Sequence, residues 1–190
     1  MPVTVFGVTT ALEKNRQAVA SMREAGFEIA CHGYRWIQYA EMPRDQEKEH
    51  IAAAIRVHTE VTGAPPRGWY TGRMSVNTRE LLVEAGGFVY DADSFADDLP
   101  YWAKVSGKDH LVVPYTLDNN DVRYVNTHGF QAPSFSAYLT DAFDFLRREA
   151  GSTPRMMSIG LHTRLVGKPG RAADLERFLD KVVAAKDAWV

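Results

Sequence analysis

Hydrophobic and polar positions follow two alternating periods along the chain, and the alternation predicts strand–helix units. Residues 3–8 are an apolar, β-branched run that reads as a buried strand. Residues 11–25 place Leu12, Val19 and Met22 on one face of a helix that Gly26 stops. Phe27 to Cys31 is a second strand. Asp45 is a candidate cap for a helix running to about Thr62, with Ile51, Ile55 and His58 on one side, and Gly63-Ala64-Pro65-Pro66 breaks it. Arg67 to Tyr70 reads as a short strand. Asn77 or Ser75 caps a third helix that ends at Gly86-Gly87, and 88–90 is another short strand. The pattern then loosens. Residues 92–110 and 118–133 read as long loops on either side of a strand at 111–117. Helix 135–149, strand 156–161 and helix 171–186 follow, and Asp187-Ala188-Trp189-Val190 reads as a strand cut off as it begins.

Repeated strand–helix units imply an α/β fold on a parallel sheet with right-handed crossovers. The six strands suit an open doubly wound sheet or a strand–helix barrel. No repeat, low-complexity tract or linker interrupts the 190 residues, so they read as one domain, 1–190. The abrupt start and the cut-off last strand predict that pieces are missing at both ends. Gly7-Val8-Thr9-Thr10 has no second glycine, which disfavours a nucleotide-binding loop after the first strand.

Four chemically loaded clusters fall at or just after the ends of predicted strands. They are His32-Gly33-Tyr34-Arg35-Trp36, Trp69-Tyr70-Thr71-Gly72-Arg73, Asp91-Ala92-Asp93 and Leu161-His162-Thr163-Arg164. Functional side chains of parallel α/β proteins gather beyond the carboxyl ends of strands, so the clusters read as an active-site rim. His32 is placed to bind metal, to donate a hydrogen bond or to move a proton. Trp36 and Tyr70 suit a pocket wall, although an aromatic such as Trp36, taken alone, reads first as core. Arg73 offers a planar fork for a carboxylate or a ureido carbonyl, or pairs with a nearby acid. Asp91, Asp93, Asp97 and Asp98 crowd one segment before Pro100-Tyr101-Trp102; some cap loops, and one or two are candidates for proton transfer or for holding the arginine. His162, directly after an apolar strand, is the candidate general acid or base. His50, His58, His110 and His128 read as structural or solvated, and no pair of them has metal-site spacing with a supporting carboxylate.

Composition narrows the classes. A net charge of −2 and the lack of a basic run give no reason to expect nucleic acid or a membrane surface. The single cysteine, Cys31, excludes an internal disulfide and reads as a buried, inert thiol. No signal peptide or membrane span is visible, so a cytoplasmic location is expected.

The runs Val3-Thr4-Val5-Phe6-Gly7, Gly26 to Gly33 and Leu161-His162 resemble the polysaccharide deacetylase (NodB-homology) superfamily. The resemblance implies a distorted (β/α) barrel of the seven-stranded deacetylase type that hydrolyses amide C–N bonds, with the first strand missing from this chain. Gly68 to Arg73, Tyr90 to Ser94, Asp97 to Trp102 and Gly160 to Arg171 are similar to the bacterial allantoinases of that superfamily, which open the hydantoin ring of allantoin to allantoate in purine breakdown. Metal-dependent members carry a second histidine four residues after the first, where this chain has Trp36, and an aspartate pair on the absent strand. With those ligands lacking, no metal and no cofactor are expected, as the allantoinase resemblance also implies. The same resemblance implies a homo-oligomer.

These readings assign proton transfer to His162 and carbonyl polarisation or water positioning to His32. Arg73, with an aspartate such as Asp93 or Asp97, is expected to hold the ureido group of a small-molecule substrate, with Trp36, Tyr70 and Trp102 as pocket walls. Two rivals follow from the same residues. One is a zinc-dependent deacetylase of an N-acetylated carbohydrate or peptidoglycan. The other is an inactive barrel fragment serving as a binding or assembly module.

Overall fold

The computed structural model describes residues 1–128 and 135–190, without the side chains of Thr127 and His128. The readings placed on His128 and on 129–133 therefore lie outside the described residues. Contacts divide the chain into two units, Met1–Ser94 with Pro100–Val113, and Phe95–Leu99 with Pro114–Val190.

The first unit holds a six-stranded sheet. Its elements are β1 (Thr4–Gly7), α1 (Thr9–Lys14), α2 (Arg16–Glu24), β2 (Glu28–Cys31), α3 (Arg44–Thr62), β3 (Gly68–Trp69), α4 (Thr78–Ala85), β4 (Tyr90–Asp91), β5 (Tyr101–Val105) and β6 (Lys108–Val112). The strand order is β1-β2-β3-β4-β6-β5. Every pairing is parallel except β5 with β6. Cys31, Ile51, Ala54, Trp69, Leu81 and Leu82 form one buried cluster between the sheet and α3 and α4; Leu12, Val19, Val57 and Val61 form a second. Cys31 is fully buried, and burial pushes its thiol up to about 12, as an inert core cysteine requires.

Several local expectations are corrected. The helix expected over 11–25 is two helices, because Asn15 leaves helical geometry (φ −133°, ψ 65°) and its side chain accepts from the Ala18 N–H at 3.1 Å to cap α2. Pro43, not Asp45, precedes α3, and Asp45 lies in its first turn. The apolar face of α3 includes His58, whose ring nitrogens lie 3.0 Å from the Ile29 carbonyl and 3.1 Å from that of Ala64, tying the helix to β2. The loop expected over 92–110 contains β5 and most of β6, an antiparallel hairpin. Its turn, Ser106-Gly107, takes φ of 49° and 79°, the left-handed pair that matches strand twist. The sequence concealed it because Lys104, Lys108 and Asp109 make an exposed hairpin polar. The strand expected over 111–117 ends at Val112.

The second unit is mostly helical: α5 (Asp121–His128), α6 (Phe135–Glu149), α7 (Thr163–Val166) and α8 (Pro169–Ala184). Leu139, Phe143, Phe178 and Val182 bury the α6–α8 contact. The described part of the loop expected over 118–133 includes α5. The strand expected over 156–161 is reduced to one parallel bridge between Asn120 and Gly160. Residues 187–190 form no strand, and Trp189 is exposed. Apolar patterning marked both segments as strand, but a strand also needs a neighbour along its length to satisfy its backbone.

Candidate active site

Unit 1 gathers its loaded residues beyond the ends of β2, β3 and β4. The turn after β2 is set by Gly33, whose φ of 73° suits glycine. Thr9 donates to the Gly33 carbonyl from its backbone N–H (3.1 Å) and its hydroxyl (3.0 Å). This holds His32 with its backbone N–H on the Gly7 carbonyl at 2.9 Å and its ring edge-on to Tyr70, 5.4 Å between centroids. Trp36 is 61% exposed, and the Arg73 guanidinium lies 4.3 Å from its ring centroid. Such a stack is a cation–π contact. Trp102 projects from β5 and is 68% exposed.

Asp93 is the organising acid of this rim. Its carboxylate accepts from the Thr71 N–H (3.0 Å), the Thr71 hydroxyl (3.0 Å) and the Gly72 N–H (2.6 Å), and so fixes the turn after β3. Burial outweighs those hydrogen bonds and pushes its pKa up to about 6. The expected pairing of Arg73 with an acid of the 91–98 segment is not made. Arg79, from the first turns of α4, takes that part instead. Its Nε and Nη2 donate to Asp91 at 2.7 and 3.0 Å, and Nη2 also donates to the Asp93 carbonyl at 3.2 Å. His110 Nε2 lies 2.8 Å from the same Asp91 carboxylate. Burial alone would raise the Asp91 pKa, but hydrogen bonds from His110 and Arg79 hold it below the ordinary carboxylate value. Sequence reasoning stopped at Arg73 because that arginine sits beside the glycine of the rim, whereas Arg79 is one polar residue on a helix.

Unit 2 carries the sharpest group. His162 immediately precedes α7, and the Asp121 carboxylate grips it twice. Oδ2 accepts from the His162 backbone N–H at 2.8 Å, and Oδ1 lies 2.6 Å from Nδ1. Asp121 is 4% exposed and the His162 side chain 32%. The carboxylate can only accept, so Nδ1 carries a hydrogen, and in the neutral form of the ring Nε2 is the nitrogen with the lone pair. The Asp121 N–H donates to the Gly160 carbonyl at 3.0 Å, and the Gly160 N–H to the Asn119 carbonyl at 2.9 Å, which sets the approach of acid to imidazole. Asp121 was missed because it fell in a segment read as loop; the signal available was an acid opening a helix after Asp118-Asn119-Asn120. Asp97 belongs to this unit too, where its carboxylate accepts from the N–H groups of Asp98 (2.7 Å) and Leu99 (3.2 Å) and borders a cavity.

Among the described residues no group of three or more His, Cys, Asp or Glu is placed to hold a metal ion. No helix among the described residues is long and apolar enough to cross a membrane.

Comparison with known proteins gives the class of this α/β fold. Residues 1–87 match the family of polysaccharide deacetylases. A Schizosaccharomyces pombe protein assigned as a polysaccharide deacetylase is 38% identical over 208 residues, covering 100% of this chain and 65% of the relative. The crystal structure of the probable polysaccharide deacetylase from Pseudomonas aeruginosa PAO1 is 50% identical, with a TM-score of 0.93 over 99% of this chain and 64% of that one. The crystal structure of Puue allantoinase is 49% identical, with a TM-score of 0.94 over 100% of this chain and 64% of that one. The chain is similar to polysaccharide deacetylases over residues 1–87 and to these solved structures along its length, and its fold is the α/β fold of the deacetylase-type barrels. It spans a little under two thirds of the length of these relatives.

Proposed function

We propose that this protein hydrolyses an amide C–N bond of a cyclic ureide, opening the hydantoin ring of allantoin to give allantoate. The observation that carries the reading is the His162–Asp121 pair. Ring opening needs water activated for attack on the ring carbonyl and a proton returned to the departing nitrogen. His162 Nε2 takes a proton from water as the oxygen–carbon bond forms. The imidazolium, stabilised by the Asp121 carboxylate, gives that proton to the ring nitrogen as the carbon–nitrogen bond breaks. One water is consumed and a carboxylate and a ureido N–H result. In unit 1, His32 is proposed as a polar group of the rim held against Tyr70.

The choice of ureide over N-acetyl sugar rests on two supports. The similarity to Puue allantoinase covers the whole chain. Trp36 stands where the metal-dependent pattern requires a second histidine, and the described donor set is too small for zinc. The reading is therefore of a metal-independent reaction.

Allantoin ring opening, followed with excess chelator and with added zinc in parallel, tests the proposal. Turnover that survives chelation is the expected result. Turnover only with zinc, or release of acetate from an N-acetylated sugar with none from allantoin, would replace it with the deacetylase reading.

A further inference from the structure

Unit 2 encloses a cavity of about 410 Å³ whose lining includes neither His162 nor Asp121. That volume lies in the range of small-molecule sites, about 300–1,000 Å³. Its chemistry is one-sided. Asp97, Asp98, Asp118 and Asp141 border it, and none of its lining residues is a lysine, arginine or histidine. The rest of its lining is mixed, and Tyr115 and Phe145 supply aromatic surface.

Asn119 supplies a second, independent observation. It lines the cavity and is 9% exposed, and its side-chain oxygen is buried with no hydrogen-bond partner among the described residues. A buried acceptor left unmatched costs about 1–3 kcal/mol, a loss that a donor-bearing ligand would recover. Its backbone is committed elsewhere, since its carbonyl accepts from Gly160. The cavity thus combines a buried acceptor in want of a donor, carboxylates at its border and aromatic walls. Those features select N–H donors, positive charge and an apolar body together.

We propose that this cavity binds a small organic cation, an alkyl amine or alkyl guanidine. Its N–H groups meet the Asn119 oxygen and the bordering carboxylates, and its alkyl part lies on Tyr115 and Phe145. The site goes beyond the ring-opening reading and does not depend on it. A bound cation there touches none of the groups assigned to proton transfer.

Agmatine, which carries both a guanidinium and an amine on a four-carbon chain, is the probe. Calorimetric titration of the whole chain at low salt is expected to show one saturable site with a dissociation constant on the order of 0.1–1 mM. The side-chain amide resonances of Asn119 should shift along the same isotherm. The double variant Asp98→Asn with Asp141→Asn changes only exposed side chains and should weaken binding about tenfold. Neutral butylurea should bind far more weakly than agmatine. No saturable binding, unchanged affinity in the double variant, equal affinity for butylurea, or binding that leaves the Asn119 amide unmoved would each overturn the proposal.

Discussion

Asp121→Asn separates the electronic role of the acid from its structural one. In the protein the carboxylate receives two hydrogens from the same residue, one from the His162 backbone at 2.8 Å and one from Nδ1 at 2.6 Å. Asparagine offers one oxygen and one NH2 at nearly the same positions. The backbone N–H of His162 cannot reverse its polarity, so it must take the oxygen. The NH2 then faces Nδ1, and the ring satisfies it only by moving its hydrogen to Nε2. Every polar group stays paired, and the main loss is the charge assistance of a bond with a 4%-exposed acid, about 1 kcal/mol of stability. Turnover should nevertheless fall by about 10²–10⁴, because Nε2 no longer has the lone pair that takes the proton. Two assays follow the two halves of the argument. Nitrogen NMR of the imidazole rings at mildly alkaline pH should show one histidine exchanging its tautomer, and ring opening of allantoin should collapse with little change in the unfolding midpoint. An unchanged tautomer together with turnover within threefold of the parent would refute the reasoning.

Asp93 makes a pH prediction. Its folded pKa of about 6 lies above the ordinary 3.8, so the native state binds the proton more tightly than the unfolded chain. The stabilisation it contributes is complete below about pH 4 and is lost as pH rises through about 6, a swing on the order of 3 kcal/mol. Urea midpoints across that window should fall more steeply for the protein than for Asp93→Asn; parallel curves would contradict the burial argument. Arg79→Met tests the network behind the rim. Asp91 is 1% exposed and would lose its arginine partner, leaving His110 as its side-chain partner among the described residues, so a loss of about 2–3 kcal/mol is expected by denaturant unfolding. A loss below about 0.5 kcal/mol would show that the pair does not support β4.

The elements that sequence patterning located well are those whose burial is one-sided and continuous. The apolar runs of β1 and β2, the long face of α3 and the α6–α8 contact all follow from period and composition. The failures share a cause: the pattern records what is apolar, whereas pairing decides what is strand. Tyr101 to His110 looked like loop because its hairpin alternates with exposed lysine and aspartate. Residues 156–161 looked like strand because they are apolar, yet they bridge only at Gly160. At the candidate site, His32 and Asp93 stood out in the sequence because each lies just after a strand, and His162 because it follows an apolar run. Asp121 and Arg79 were not, since their importance lies in which distant backbone and side chain they hold, and spacing along the chain carries no trace of that.

The two histidine–aspartate pairs show why residue type alone could not have settled the chemistry. His110 with Asp91 and His162 with Asp121 have the same components at nearly the same separation, 2.8 and 2.6 Å. Their surroundings part them. His110 is 4% exposed and shares its acid with Arg79, so the acid's second oxygen is already engaged by a permanent cation. A ring closed off in that way has no route for a substrate or a water to its proton, and the pair acts as a strut between β4 and β6. His162 is 32% exposed, and among the described residues the carboxylate of its acid holds the imidazole and the backbone that carries it. The remaining ring nitrogen of His162 is thus fixed in tautomer and open to solvent, the two conditions a proton-transfer group must meet at once.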